Sequence, residues 1–104
     1  RVGHAPEKIS EIPLEWLSYA QLCDMPQGGT LSDAEAYFTD AIDGRLAPGE
    51  GVIPVAEMTR ALPHDLPISL EIRSRFYRER YPDPIERAKA ILSQTQKFLT
   101  QHGL

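Results

Sequence analysis

Two short apolar runs in this 104-residue chain each deliver one oxygen-bearing side chain near their C-terminal ends. Gln21 lies in Tyr19-Ala20-Gln21-Leu22-Cys23-Asp24, and Glu71 in Ser69-Leu70-Glu71-Ile72. An amide oxygen and a carboxylate suit Mn²⁺, Mg²⁺ or Co²⁺ better than a thiolate site would, and Zn²⁺ also accepts a carboxylate. Glu71 is in addition a competent general base. Between the two runs stands a Gly/Pro turn, Arg45-Leu-Ala-Pro-Gly-Glu-Gly51, whose arginine offers a planar fork of donors to a substrate hydroxyl or carboxylate. Arg73, two residues past Glu71, is placed to meet a phosphate or carboxylate tail. Asp24 either orients the neighbours of Gln21 or binds substrate. The plainer reading of each is a polar residue that ends a strand or enters a loop and meets solvent. Arg75, Arg78 and Arg80 read first as a solvated face or as packing stems, with a phosphate role as the sharper alternative.

Cys23 sits inside an apolar run and reads as a small packing hydrophobe. A cysteine nucleophile needs a positioned histidine, and His4, His64 and His102 fall in loops or at the end. These residues have no zinc-finger spacing. A single cysteine excludes an internal disulfide, which fits a reducing, cytoplasmic compartment.

The elements that must position these residues follow from punctuation and periodicity. Pro6 opens a short helical turn after an initial loop, with Ile9, Ile12 and Leu14 as apolar anchors. Trp16–Cys23 reads as a strand covered on both faces. Pro26, Gly28 and Gly29 mark a loop. Ser32 with Glu35 makes a capping box for a helix reaching about Ile42, with Ala34, Tyr37, Phe38 and Ala41 on one face and Gly44 as its stop. Pro54 opens a helix over Val55–Leu62, with Val55, Met58 and Leu62 inward. Residues 67–72 alternate as a second strand. Residues 73–81 read as a charged, aromatic loop. Asp83 and Pro84 start a helix to about Gln101. Its stripe is Ile85, Ala88, Leu92, Thr95 and Leu99, and Gly103 is placed to cap it. Trp16, Tyr19, Tyr37 and Phe38 are expected to pack between helices and strands, with sugar stacking as the alternative for Trp16 and Tyr19. Strands alternating with helices imply parallel pairing in an α/β fold.

Bulk properties narrow the field. Eleven Lys and Arg against 15 Asp and Glu leave a net charge of −4, which argues against nucleic acid or an anionic membrane as partner. The apolar runs are too short to span a bilayer, and no secretory signal opens the chain. The first residue is Arg rather than Met, which suggests a processed chain or a piece of a larger one.

The ordered pattern of Gln21-Leu22-Cys23-Asp24, Arg45-x-x-Pro48-Gly49-x-Gly51 and Glu71 resembles the C-terminal portion of the sugar phosphate isomerase/epimerase superfamily, the xylose-isomerase-like TIM barrels. The likeness covers nearly all of residues 1–104. It implies the last two βα units, about a quarter, of a (β/α)8 barrel, whose complete form needs about 250 residues. It further implies one divalent metal held by four side chains from four strand ends, with Gln21 and Glu71 as two of them. The other ligands would precede Arg1, and His4 falls in a loop and does not take that role. Gln21 stands where the epimerase branch more often has His; a glutamine there is similar to the hydroxypyruvate isomerase branch. The expected chemistry is proton abstraction next to a carbonyl through an enediolate, with Glu71 as base and ligand, and Arg45, Asp24 and Arg73 binding a sugar or sugar phosphate. A lyase that dehydrates a keto-inositol on the same barrel is the near alternative. A non-catalytic piece whose strand edges pair with another copy, as a homo-oligomer, is the alternative of a different class. The multi-zinc, DNA-cleaving branch of the barrel is disfavoured by the acidic balance and by Gln21.

Overall fold

The computed structural model describes residues 5–28 and 30–104. The expected loop over residues 1–4, His4 included, and Gly29 lie outside the described residues. The fold is α/β: a parallel sheet of β1 (Ala20–Leu22) and β2 (Ile68–Leu70), in register Ala20–Ile68, Gln21–Ser69 and Leu22–Leu70. The connection carries α1 (Ala34–Asp43) and α2 (Val55–Arg60), and β2 is followed by α3 (Arg75–Arg80) and α4 (Pro84–Gln101). Among the described residues, no helix is long and apolar enough to cross a membrane.

Both strands are shorter than their apolar runs. Pro13 starts a 3-10 turn at Leu14–Trp16, so the chain is still turning where a strand was expected. The ladder then extends only as far as its partner, from Ala20 N–H on Pro67 O (3.0 Å) to Glu71 N–H on Leu22 O (3.4 Å).

The helix starts follow local chemistry. α1 is capped by Asp33, which accepts the Ala36 amide at 2.9 Å; Ser32 donates to the Asp33 carboxylate instead of capping. The cap thus lies one residue later than the capping box suggested. α4 starts as expected, with the Asp83 carboxylate accepting from Ile85 and Glu86 and Pro84 in the first turn. Residues 75–80 are helical, not a loop: Ser74 caps this turn by accepting the Tyr77 amide at 3.3 Å.

The core lies on one face of the sheet. Leu22, Val55, Ala56 and Phe98 are buried together, with Ile53, Leu70 and Leu99 packed against them. Two strands offer little else to cover. Trp16 (75% exposed), Tyr19 and Phe38 are open to solvent, and Tyr37 is marginally so, which corrects the expectation that all four pack inside. The same holds on α4, where Thr95 and Phe98 are buried while Ile85 and Leu92 of the expected stripe are exposed. Ile9, Ile12, Leu14 and Leu17 line a groove with Ala61, Leu62 and Pro63 at the end of α2.

Candidate functional site

Side chains alternate along a strand, so the face opposite the core carries Gln21 and Ser69, and two residues further on Cys23 and Glu71. A cavity of about 280 Å³ opens there, lined by Gln21, Cys23, Ala41, Arg45, Glu71 and Arg73. Four of the five residues singled out from sequence therefore meet at the C-terminal ends of two neighbouring parallel strands.

Arg45 reaches this place through its backbone. Leu46 exchanges backbone hydrogen bonds with Asp24 (2.8 and 2.9 Å), Gly44 bridges to Ser74, and the Arg45 amide donates to Arg73 O at 2.9 Å. Residues 44–46 thus cross the ends of both strands. The Arg45 guanidinium lies 3.2 Å from Asp40 and contacts Met25 Sδ at 3.7 Å, with its side chain 20% exposed. The ion pair fixes one end of the planar fork while the group still lines the cavity.

Asp24 does not line the cavity. Its side chain is on the core face and fully buried. Oδ1 accepts from Met25 (2.8 Å) and Ile53 (3.0 Å), and Oδ2 from Gly49 (3.1 Å) and Gly51 (2.9 Å), all backbone amides. Four amides satisfy a carboxylate that would otherwise be costly to bury. The substrate-binding role read for Asp24 from sequence is not carried forward, because both oxygens are engaged inside the protein.

The glycines of the turn are steric requirements. Gly49 has φ +84°, and a Cβ there would run into the Phe98 ring. A Cβ on Gly51 would overlap Met25 O and the Asp24 carboxylate.

Cys23 is half-buried in the cavity wall, and burial pushes its thiol up from the ordinary 9.0, partly offset by the Arg45 charge. The arginine cluster divides. Arg78 and Arg75 pair with Asp43 at 2.7 and 3.5 Å, Arg80 lies over the Tyr81 ring, and Arg73 alone lines the cavity. Two of the four are thereby taken up by a carboxylate of α1.

Gln21 and Glu71 offer the hard oxygen donors that a divalent cation of the Mg²⁺ or Mn²⁺ type takes. The donor chemistry fits such an ion, but the number does not close a site. Among the described residues, no three or more His, Cys, Asp or Glu are grouped to hold a metal. A larger cavity, of about 600 Å³, lies beside α1 and is lined by Asp33, Glu35, Asp40 and Asp43. Asp33 caps the helix, Asp40 pairs with Arg45 and Asp43 with Arg75 and Arg78, so these three carboxylates of the lining serve the fold.

Compared with family models, curated proteins and solved structures, the chain matches none of them.

Proposed function

We propose that this chain is the C-terminal part of a (β/α)8-barrel enzyme, a divalent-metal-dependent sugar or sugar phosphate isomerase or epimerase. The observation that supports this reading is the meeting of Gln21, Glu71, Arg45 and Arg73 around one cavity at adjacent parallel strand ends, where barrel enzymes place their chemistry. Gln21 and Glu71 are the residues that would hold the cation, which when bound polarises the substrate carbonyl. The Glu71 carboxylate takes the proton from the carbon next to that carbonyl, and the C–H electrons form the double bond of an enediolate. Return of the proton to the former carbonyl carbon, with the hydroxyl proton passing from the neighbouring oxygen to the former carbonyl oxygen, completes an isomerisation with no external oxidant; return to the same carbon from the opposite face is an epimerisation. Arg45 and Arg73 bind hydroxyl or anionic groups and hold the substrate in register. Dehydration of a keto-inositol uses the same base, with hydroxide leaving instead of proton return.

Mn²⁺ titration followed by NMR tests the reading. Mn²⁺ should broaden Gln21 and Glu71 resonances first, with weak affinity because two donors are a minimal set, and Gln21→Leu with Glu71→Ala should abolish the effect. Broadening centred elsewhere would remove the site. In the complete enzyme Glu71→Gln should abolish turnover, and wild-type-like rates would take Glu71 out of the mechanism.

The sheet favours a second reading, a module that assembles with another copy, because no third strand joins either outer edge among the described residues. Concentration-dependent dimers in sedimentation, lost when a proline is placed in β2, would support it.

A further inference from the structure

We infer that Asp24 is a positioning residue that sets Arg45 at the cavity through the loop it encloses. The inference takes the cavity as the substrate site proposed above, but its geometry stands apart from that reading.

The buried carboxylate gathers chain from far along the sequence. Its own backbone is paired with Leu46 in both directions, and its side chain binds Gly49, Gly51 and Ile53. Residues 46–53 are therefore closed on one residue at their start, middle and end. Arg45 is the residue immediately before this closed segment, and its amide is held on the other side by Arg73 O. Its backbone is suspended between the ends of β1 and β2, with Asp24 fixing the first anchor and the chain after β2 the second. Among the described residues, the hydrogen bonds of the Asp24 side chain all go to Met25 and the 49–53 turn, and none to α4. Losing that charge should loosen the turn and the Arg45 anchor before it loosens the helix layer.

Asparagine tests this without changing size. One of its two atoms remains an acceptor, and the other presents N–H groups to amides that need an acceptor, leaving buried donors unmet. A second variant, Gly51→Ala, attacks the same closure from the loop side, since the added Cβ overlaps Met25 O and the Asp24 carboxylate.

The experiment is ¹⁵N NMR with amide exchange on the whole chain, comparing wild type, Asp24→Asn and Gly51→Ala. The expected result is about tenfold or faster exchange at the amides of residues 49, 51 and 53, the size set by one unmet buried donor. The Arg45 Nε–Hε cross-peak should shift or broaden in both variants, while α4 amides keep their wild-type rates. Retained α4 protection is what a general role in stability would not give. An unmoved Arg45 cross-peak in a folded variant, or loss of protection that reaches α4 in equal measure, overturns the inference. Mn²⁺ added to the wild type bears on the isomerase reading alone, so the two can fail separately.

Discussion

Tyr77 donates its phenolic hydroxyl to Glu50 Oε2 at 2.8 Å, and the same oxygen accepts the Ala47 amide at 3.2 Å. This single carboxylate oxygen ties α3, which follows β2, to the turn that follows β1. Tyr77 is buried and stacks on Tyr81 with ring centroids 6.1 Å apart, so the hydroxyl is presented from a fixed ring. Together with Ser74 against Gly44, it makes α3 the outer brace of the segment that carries Arg45.

Tyr77→Phe should cost about 1 kcal/mol in urea denaturation, the net value of one hydrogen bond to a charged group that keeps a second donor. Burial, and then the Glu50 carboxylate, push the Tyr77 hydroxyl well above its ordinary 10.0. A raised value means that the neutral form is favoured by folding. The contribution is complete below pH 10 and is lost as pH rises toward the folded value. The absorbance difference near 295 nm between wild type and Tyr77→Phe should therefore develop only on the alkaline side of 10.

Asp43 is held below its ordinary 3.8, first by the Arg78 hydrogen bond and then by the charges of Arg78 and Arg75. A depressed carboxylate stabilises the fold above 3.8, and the contribution disappears as pH falls through the lower folded value. The Asp43 carboxyl carbon should titrate below 3.8 by NMR, and Asp43→Asn should speed exchange in α3. Salt should weaken the effect, because the partners are exposed.

Gly49→Ala should destabilise by about 1–3 kcal/mol, from a left-handed backbone carrying a side chain and from overlap with Phe98. A fall in the denaturation midpoint at constant m-value checks this. Phe98→Leu in the same chain should recover part of the loss, because the ring is what the new methyl meets.

Cys23 should react with iodoacetamide along a pH profile whose midpoint lies above 9.0, since burial disfavours the thiolate that does the attacking. A midpoint at or below 9.0 would place the thiol in water or beside a dominant cation.

Several parts of this architecture were legible in the residues. Asp83-Pro84 announced α4 because cap and first-turn chemistry are local, and the helix runs to Gln101 as its spacing predicted. Gln21, Glu71 and Arg73 were legible as a group because each stands at or just past the end of an apolar run, and parallel strands bring such ends together; Arg45 stood out instead as the arginine of the Gly/Pro turn after the first helix. The surroundings of Asp24 were not legible, for the opposite reason. Three of its partners are backbone amides 25 to 29 residues away, and an amide leaves no mark in the side-chain pattern. α3 was missed because six residues of Arg, Glu and aromatics have no apolar stripe; Ser74, a good cap residue, was the available signal. The exposure of Trp16 and Phe38 depends on how much sheet and helix there is to cover them, which no local pattern encodes.

Each strand of the pair has one flank lined with hydrogen-bonding groups that no third strand meets among the described residues. Ile68, Ile85 and Leu92 stand exposed about β2 and α4, and Trp16 and Tyr19 stand exposed in the segment leading into β1. Water therefore wets a broad run of apolar side chains. For this polypeptide in isolation, shelf life should then turn on dilution: light scattering that grows with concentration while the fold stays intact is the expected sign that encounters between molecules decide how long they stay dispersed.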